Sequence, residues 1–220
     1  MPTLTNTVQS TSLLTAIGGV VPGAGDTVRV HQFNQDFISG FALDTNAIDL
    51  FEVLPGCGSN IGYNRETGAS VGSVLLKTSA AGVVRFLGTG NWFNLASTNA
   101  STVLYQFDFN PSGACTAVLG AMDNEFVNQL RGNLIIGATC DTANIHVGGG
   151  TCEAMAGGPT VAVAAATGGF LSLKRAATAV VSAGGGRLRH ELIAGTPTNG
   201  YMYGGVMELW CASMTNFFGW

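Results

Sequence analysis

The sequence predicts an all-β protein in which an irregular β-rich N-terminal region leads into a short β-solenoid of about 18 residues per coil. Three observations carry this. The 220 residues include 32 glycines, and only 10% are charged against 46% hydrophobic. Helical surfaces draw on Glu, Lys and Arg, so this composition suits short strands joined by many turns. Glycine clusters also recur through the second half at nearly constant intervals, and each is followed by residues that alternate between apolar and polar.

In chain order, residues 1–25 come first and contain no charged side chain. They are too polar for a core and too uncharged for an ordinary solvated tail, so an arm lying on another subunit or a disordered terminus is expected. Leu13 and Leu14 are its candidate interface residues. A β-rich region follows over 26–125. "PGAGDTVRV" reads as a turn and a strand through Val28 and Val30. Further strands are expected near Phe37–Ile38, at Ile48–Leu54, in "SVLLK" and "GVVRFLG", and in "STVLYQFDF". Their spacing is uneven, which leaves a sandwich and irregular early coils as alternatives. One segment, Ala121–Gly132, places Met122, Phe126 and Leu130 at helical spacing, so helix competes with strand there.

The repeat occupies 126–220. Aligned on the last glycine of each cluster, the corners are Gly132, Gly150, Gly169, Gly186 and Gly205. Their near-equal intervals match the short repeat of a solenoid. Two residues on stand Leu134, Cys152, Leu171, Leu188 and Met207, all apolar. Four residues on stand Ile136, Ala154, Leu173, His190 and Leu209. The position between holds Ile135, Glu153, Ser172, Arg189 and Glu208. This period of two is a half-buried strand recurring once per coil. A second strand upstream is marked by Val127, Ile145, Ala164 and Val181, with Gly200 as the exception. Stacking then buries a continuous column that no single coil buries alone. Glycine belongs at the corners because the turn needs positive φ or has no room for a Cβ.

Charge and motifs bound the chemistry. A net charge of -4 leaves no basic patch to displace counterions, so nucleic acid is not an expected partner. The densest basic group, Arg187, Arg189 and His190 with Lys174 and Arg175 upstream, reads as solvated strand faces. No membrane span is expected, because no unbroken apolar run is long enough to cross a bilayer. The apolar run Leu13–Val21 also lacks the basic flank of a signal peptide.

Cys57, Cys115, Cys140, Cys152 and Cys211 share no metal-ligand spacing and read as free, mostly buried thiols. His31, His146 and His190 lack ligand spacing, and His190 reads as a hydrogen-bonded inward or edge residue. Neither GxSxG nor GxxxxGK[ST] occurs, and Asp44–Glu52 lacks the pattern of a calcium loop. No cofactor, metal or catalytic residue is therefore assigned, and the chain is expected not to be an enzyme.

The acids are the remaining opening for catalysis. Glu153 and Glu208 share the outward position three coils apart, on the order of 14 Å, too far for glycoside hydrolysis. An ion pair of Arg189 with Glu208 is expected instead. Tyr201, Tyr203, Trp210, Phe217, Phe218 and Trp220 are either an outer interface, a sugar-binding platform or the cap of the last coil.

The segments "VPGAGDTVRV", "ISG", "PGCGSNIG" and "FLGTG", with the GG-strand repeats from Gly149, Gly168, Gly185 and Gly204, resemble glycine-rich β-solenoid structural proteins of tailed bacteriophages. This resemblance implies a virion protein on the capsid surface, made in the host cytoplasm. It implies a capsid decoration protein that binds the major capsid protein lattice through the N-terminal region and stabilises the head, often as a homotrimer. A tail-fibre or host-attachment module, binding a surface glycan through the solenoid face, is the alternative.

Overall fold

The computed structural model describes residues 2–31, 35–96, 103–191, 199–210 and 214–219. Irregular N-terminal strands pass into a parallel β-solenoid of about nine turns, with roughly 19 residues per turn. One ladder of parallel strands stacks Thr3–Thr5, Thr27–Val30, Ala42–Val53, Val74–Phe86 and Val103–Phe109. It continues through Met122–Gln129, Cys140–Val147, Val161–Ala166, Ala177–Ala183, Asn199–Tyr203 and Asn216–Gly219. The second ladder stacks Trp92–Ala96, Thr116–Leu119, Asn133–Ile136, Thr151–Ala154, Phe170–Leu173, Arg187–His190 and Val206–Leu209.

Parallel stacking therefore does not begin at residue 126. It runs back to Thr3, and what hid it is uneven coil length. The inner residue Phe51 pairs with Val84 across one long coil, whereas Val127 pairs with Ile145 across a coil little more than half that length. The long coil carries an antiparallel hairpin, Tyr63–Asn64 with Ala69–Ser70, as an outgrowth. Early coils enclose a wider section, which Phe37, Phe51, Phe86, Phe93, Phe107 and Phe109 fill. The Phe93 ring centroid lies 5.2 Å from that of Phe86 and 6.1 Å from that of Phe51. In the shorter coils the same columns hold Cys152, Ala154, Ala164, Ala166 and Val180. Side-chain volume thus tracks coil length, as close packing requires.

Leu134, Cys152, Leu171 and Leu188 form the expected inner column in register, each buried. Met207 continues it but is only partly buried, because Val206–Leu209 is the last described strand of the second ladder. On the upstream strand Val180, and not Val181, lies in the column with Ala164. The coil between Ala164 and Val180 is shorter than the coils on either side, and counting from the glycines hid that shortening. Gly200 does occupy the column, paired with Val180.

The corner glycines divide by cause. Gly132, Gly150 and Gly205 have φ of +74°, +74° and +78°. At Gly169 the backbone is ordinary, but a Cβ would lie 2.7 Å from Val147 Cγ1. At Gly186 it would overlap the Ala166 carbonyl.

One open reading is resolved and one is corrected. Met122–Gln129 is a strand, because the stack supplies ladder partners on both sides of it. Leu13–Ala16, inside the segment read as an arm, is a short helix whose N-cap Ser12 Oγ accepts from Thr15 N. Residues 3–5 pair with 27–29, and Leu13 N donates to Ser39 O at 2.9 Å. The described part of the N-terminal segment is thereby held by its own chain.

Candidate functional site on the outer faces

In-register stacking lines up equivalent outward residues about 4.8 Å apart, so each outer position becomes a row along the axis. One row of the first ladder reads Arg29, Glu52, Arg85, Asp108, Asn128, His146. Its members are linked. Glu52 accepts from Arg29 Nε at 3.1 Å and from Arg85 Nη1 at 3.2 Å. Asp108 accepts from Asn128 Nδ2 at 3.3 Å, and His146 joins Asn128 Oδ1 at 2.9 Å and Thr167 Oγ1 at 2.8 Å. Over the middle coils this face is concave, a groove of about 410 Å³ lined by Gln106, Phe126, Asn128, Asn144, His146 and Val163.

The second ladder presents a different surface. Glu208 accepts from Arg189 Nε at 2.7 Å and Arg187 Nε at 2.8 Å, and these bonds hold its carboxyl below the usual range. The expected Arg189–Glu208 pair is thus present, with Arg187 as a second partner. Arg189 lies over Phe170 and over Trp210, its Cζ 5.7 and 5.1 Å from the ring centroids. Glu191 joins the same network, accepting from Ser172 Oγ at 3.1 Å. Lys174 pairs with Glu153.

The aromatics divide between two roles. Tyr201 stacks on Tyr203 and Phe218 at 6.3 and 5.2 Å, and this stack lies on the outer face of the first ladder. Phe217 pairs with the inner-column residue Gly200, and about half of it is exposed. Tyr203, Trp210 and Phe218 are exposed too. Trp220 and Cys211 lie outside the described residues. Leu13 is fully buried in the chain's own core, which removes it from any interface, and Leu14 packs partly buried against that core.

Two members of the basic group are interior, not solvated. Arg175 is 1% exposed and His190 is fully buried. Arg175 donates to Cys140 O at 2.6 Å, Gly137 O at 2.8 Å and Met155 O at 3.0 Å, all neutral carbonyls. The missed signal was parity, since Arg175 continues the inward series Leu171, Leu173. Gln129 and Ser182 likewise interrupt an inner column, and both donate to corner carbonyls, Gln129 to Gly132 O at 2.8 Å and Ser182 to Gly186 O at 3.1 Å.

His190 Nε2 donates to Arg175 O at 3.0 Å, while its buried Nδ1 has no hydrogen-bond partner among the described residues, which disfavours a proton there. Burial lowers its pKa below the ordinary 6.5, opposed in part by that bond. The unfolded chain therefore binds a proton that the folded chain resists, so stability from this site is present above pH 6.5 and falls as pH drops below it. In urea titrations, His190→Gln is expected to flatten the decline just below pH 6.5. An unchanged decline would remove His190 as its source.

The four described cysteines are buried. Burial raises Cys115 to about 12 and Cys140 to about 11, and Cys152 higher still, so these three stay protonated thiols near neutral pH. Among the acids, Glu153 and Glu208 stay apart in the row Glu153, Ser172, Arg189, Glu208. Asp123 neighbours Asp141, and burial followed by that charge raises its pKa. Asp44–Glu52 lies within a strand.

No family model, curated protein or solved structure matches this chain. What the fold establishes is a β-solenoid.

Proposed function

We propose that this chain is a structural protein of a virus particle, a capsid decoration protein of a tailed bacteriophage. In this reading it binds the major capsid protein lattice as a homo-oligomer, a trimer in the first instance, and stabilises the head on the virion surface. The observation that carries it is the cluster of exposed aromatic side chains beside the last described strand. There the chain presents Trp210, Phe217 and Phe218, beside the strand Asn216–Gly219, whose one strand partner among the described residues is Asn199–Tyr203. Exposed apolar side chains beside such a strand favour attachment to a protein partner. The chain's buried apolar core and hydrogen-bonded corners make the remainder suited to bearing load.

The test is stoichiometry in purified particles of the encoding virus. The chain should occur at a fixed ratio to the major capsid protein, and heads lacking it should rupture at lower temperature. A few copies confined to the tail, or none, would refute this reading.

A second reading, attachment to a surface glycan, is favoured by the Phe170–Arg189–Trp210 ridge. There an exposed indole stands beside charged hydrogen-bonding groups. It predicts binding of the isolated chain to host cells, lost in Trp210→Ala.

A further inference from the structure

The outward row that holds Asp108, Asn128 and His146 continues onto the next coil at Thr167. Asp108, Asn128 and His146 are register partners on three adjacent strands, and Thr167 directly follows the fourth, Val161–Ala166. Stacking at about 4.8 Å per coil brings their side chains within hydrogen-bond reach of one another. The direction of each bond is fixed from one end. Asp108, whose Oδ2 faces Arg85 Nε at 3.5 Å, is a carboxylate and can only accept, so the Asn128 Nδ2 amino group turns to it at 3.3 Å. Asn128 Oδ1 is left to accept from His146 Nδ1 at 2.9 Å. In the neutral imidazole Nε2 then carries no proton, and it accepts from Thr167 Oγ1 at 2.8 Å.

We propose that Thr167 is the nucleophile, and His146 the general base, of a site that hydrolyses carboxylic esters. A hydroxyl bonded to an unprotonated imidazole nitrogen, with the other ring nitrogen held by an acceptor, is what nucleophilic acyl transfer requires. Asn128 is a positioning residue that holds the tautomer, and Asp108 positions Asn128. Thr167 is exposed and His146 half-buried, so a substrate reaches both. Gly168 and Gly169 directly follow Thr167, and their N–H groups have no hydrogen-bond partner among the described residues. Backbone N–H groups next to a nucleophile are donors to the oxyanion of a tetrahedral intermediate.

The groove of about 410 Å³ reaches His146, and its lining, which includes Gln106, Phe126, Asn144 and Val163, contains no Lys or Arg. It suits a small uncharged acyl group better than an anionic one. Asn128 stands where a carboxylate would stabilise the imidazolium directly, which points to esters, with their better leaving groups, and not to amides. No sequence motif records the site, since its residues come from successive coils.

In the first step Thr167 Oγ1 bonds to the ester carbonyl carbon, its proton passes to His146 Nε2, and the carbonyl π pair moves onto oxygen. As that pair returns, the bond to the alcohol oxygen breaks and the alcohol leaves with the proton from Nε2. Water then attacks the acyl group on Thr167 and gives a proton to Nε2. The bond to Oγ1 breaks, the acid leaves, and the proton returns to Oγ1. The sum is ester plus water to acid plus alcohol, and the balance needs no other reactant.

The inference goes beyond the proposed structural role and does not depend on attachment to a capsid. The test is hydrolysis of p-nitrophenyl acetate and p-nitrophenyl butyrate by the purified full chain. Turnover is expected, with kcat/KM falling roughly 100-fold or more in Thr167→Val and in His146→Gln but retained in Thr167→Ser. Thr167→Val keeps the side-chain shape, and circular dichroism should show every variant folded. Mass spectrometry of the acid-quenched reaction should place the acyl group on Thr167. Asn128→Leu should lower kcat with little change in KM and move the His146 nitrogen chemical shifts away from the Nδ1–H tautomer, which a purely structural role would leave in place.

Parent turnover no faster than that of Thr167→Val would overturn the proposal, because an exposed imidazole cleaves activated esters by itself. So would an acyl group found only on His146, or an Asn128→Leu chain with the parent's kinetics and tautomer.

Discussion

Replacing Arg175 by methionine is expected to destabilise the chain by about 3–5 kcal/mol, lowering the melting temperature by roughly 10 °C or more. Two effects oppose each other. Methionine relieves the cost of burying a guanidinium that has no ion-pair partner among the described residues. Against this, it leaves the carbonyls of Cys140, Gly137 and Met155 without the donor that reaches all three. These carbonyls lie on two successive coils before the one that carries Arg175, so the side chain fastens three coils where the second ladder turns back. Backbone carbonyls cannot be mutated away with the arginine, which is why the loss should win.

Gly158 provides an internal check, because a Cβ there would overlap the Arg175 guanidinium. Gly158→Ala should cost stability in the parent chain and much less in Arg175→Met, a coupling that a double-mutant cycle reads directly. Additive effects, or a stable Arg175→Met, would disprove the staple.

The second large effect is at the corners. Gly150→Ala is expected to cost about 3–4 kcal/mol, of which about 1–2 kcal/mol is the left-handed backbone conformation. The rest follows from overlap with Gly132 O. That oxygen accepts from Thr151 N at 2.9 Å and from Gln129 Nε2 at 2.8 Å, so displacing it breaks a ladder bond and a core bond together. Gly186→Ala should cost about 2–4 kcal/mol for overlap alone, since its φ is ordinary.

The adjacent Gly185 has ordinary φ and open space around a Cβ, so Gly185→Ala should be neutral or stabilise by about 0.5 kcal/mol. Chemical denaturation of the three variants separates the cases. Equal losses at Gly185 and Gly186 would mean that general glycine flexibility, not close approach, rules the corner.

How much was legible depended on whether a local pattern repeated. The corners at Gly132, Gly150, Gly169, Gly186 and Gly205 announced themselves because each coil must turn at the same point. The strand alternation beyond them followed from one face being buried. The early coils offered no such count, because a coil lengthened by an outgrowth still stacks while its spacing changes. Arg175 was misread because a charged residue in a short strand is ordinarily solvated, and its carbonyl partners lie 20 to 38 residues away. The two outer faces were also invisible individually, since one strand contributes only two or three residues to a face.

The sequence by itself therefore determined the solenoid class, its late period and its inner column, because glycine placement and period-two hydrophobicity act within one coil. Only the tertiary structure decided that stacking reaches back to Thr3, that Arg175 fastens coils from inside and that Asp108, Asn128, His146 and Thr167 form one hydrogen-bonded row. Each of these depends on which residues of different coils come into register, and register is set by coil lengths that no local pattern records.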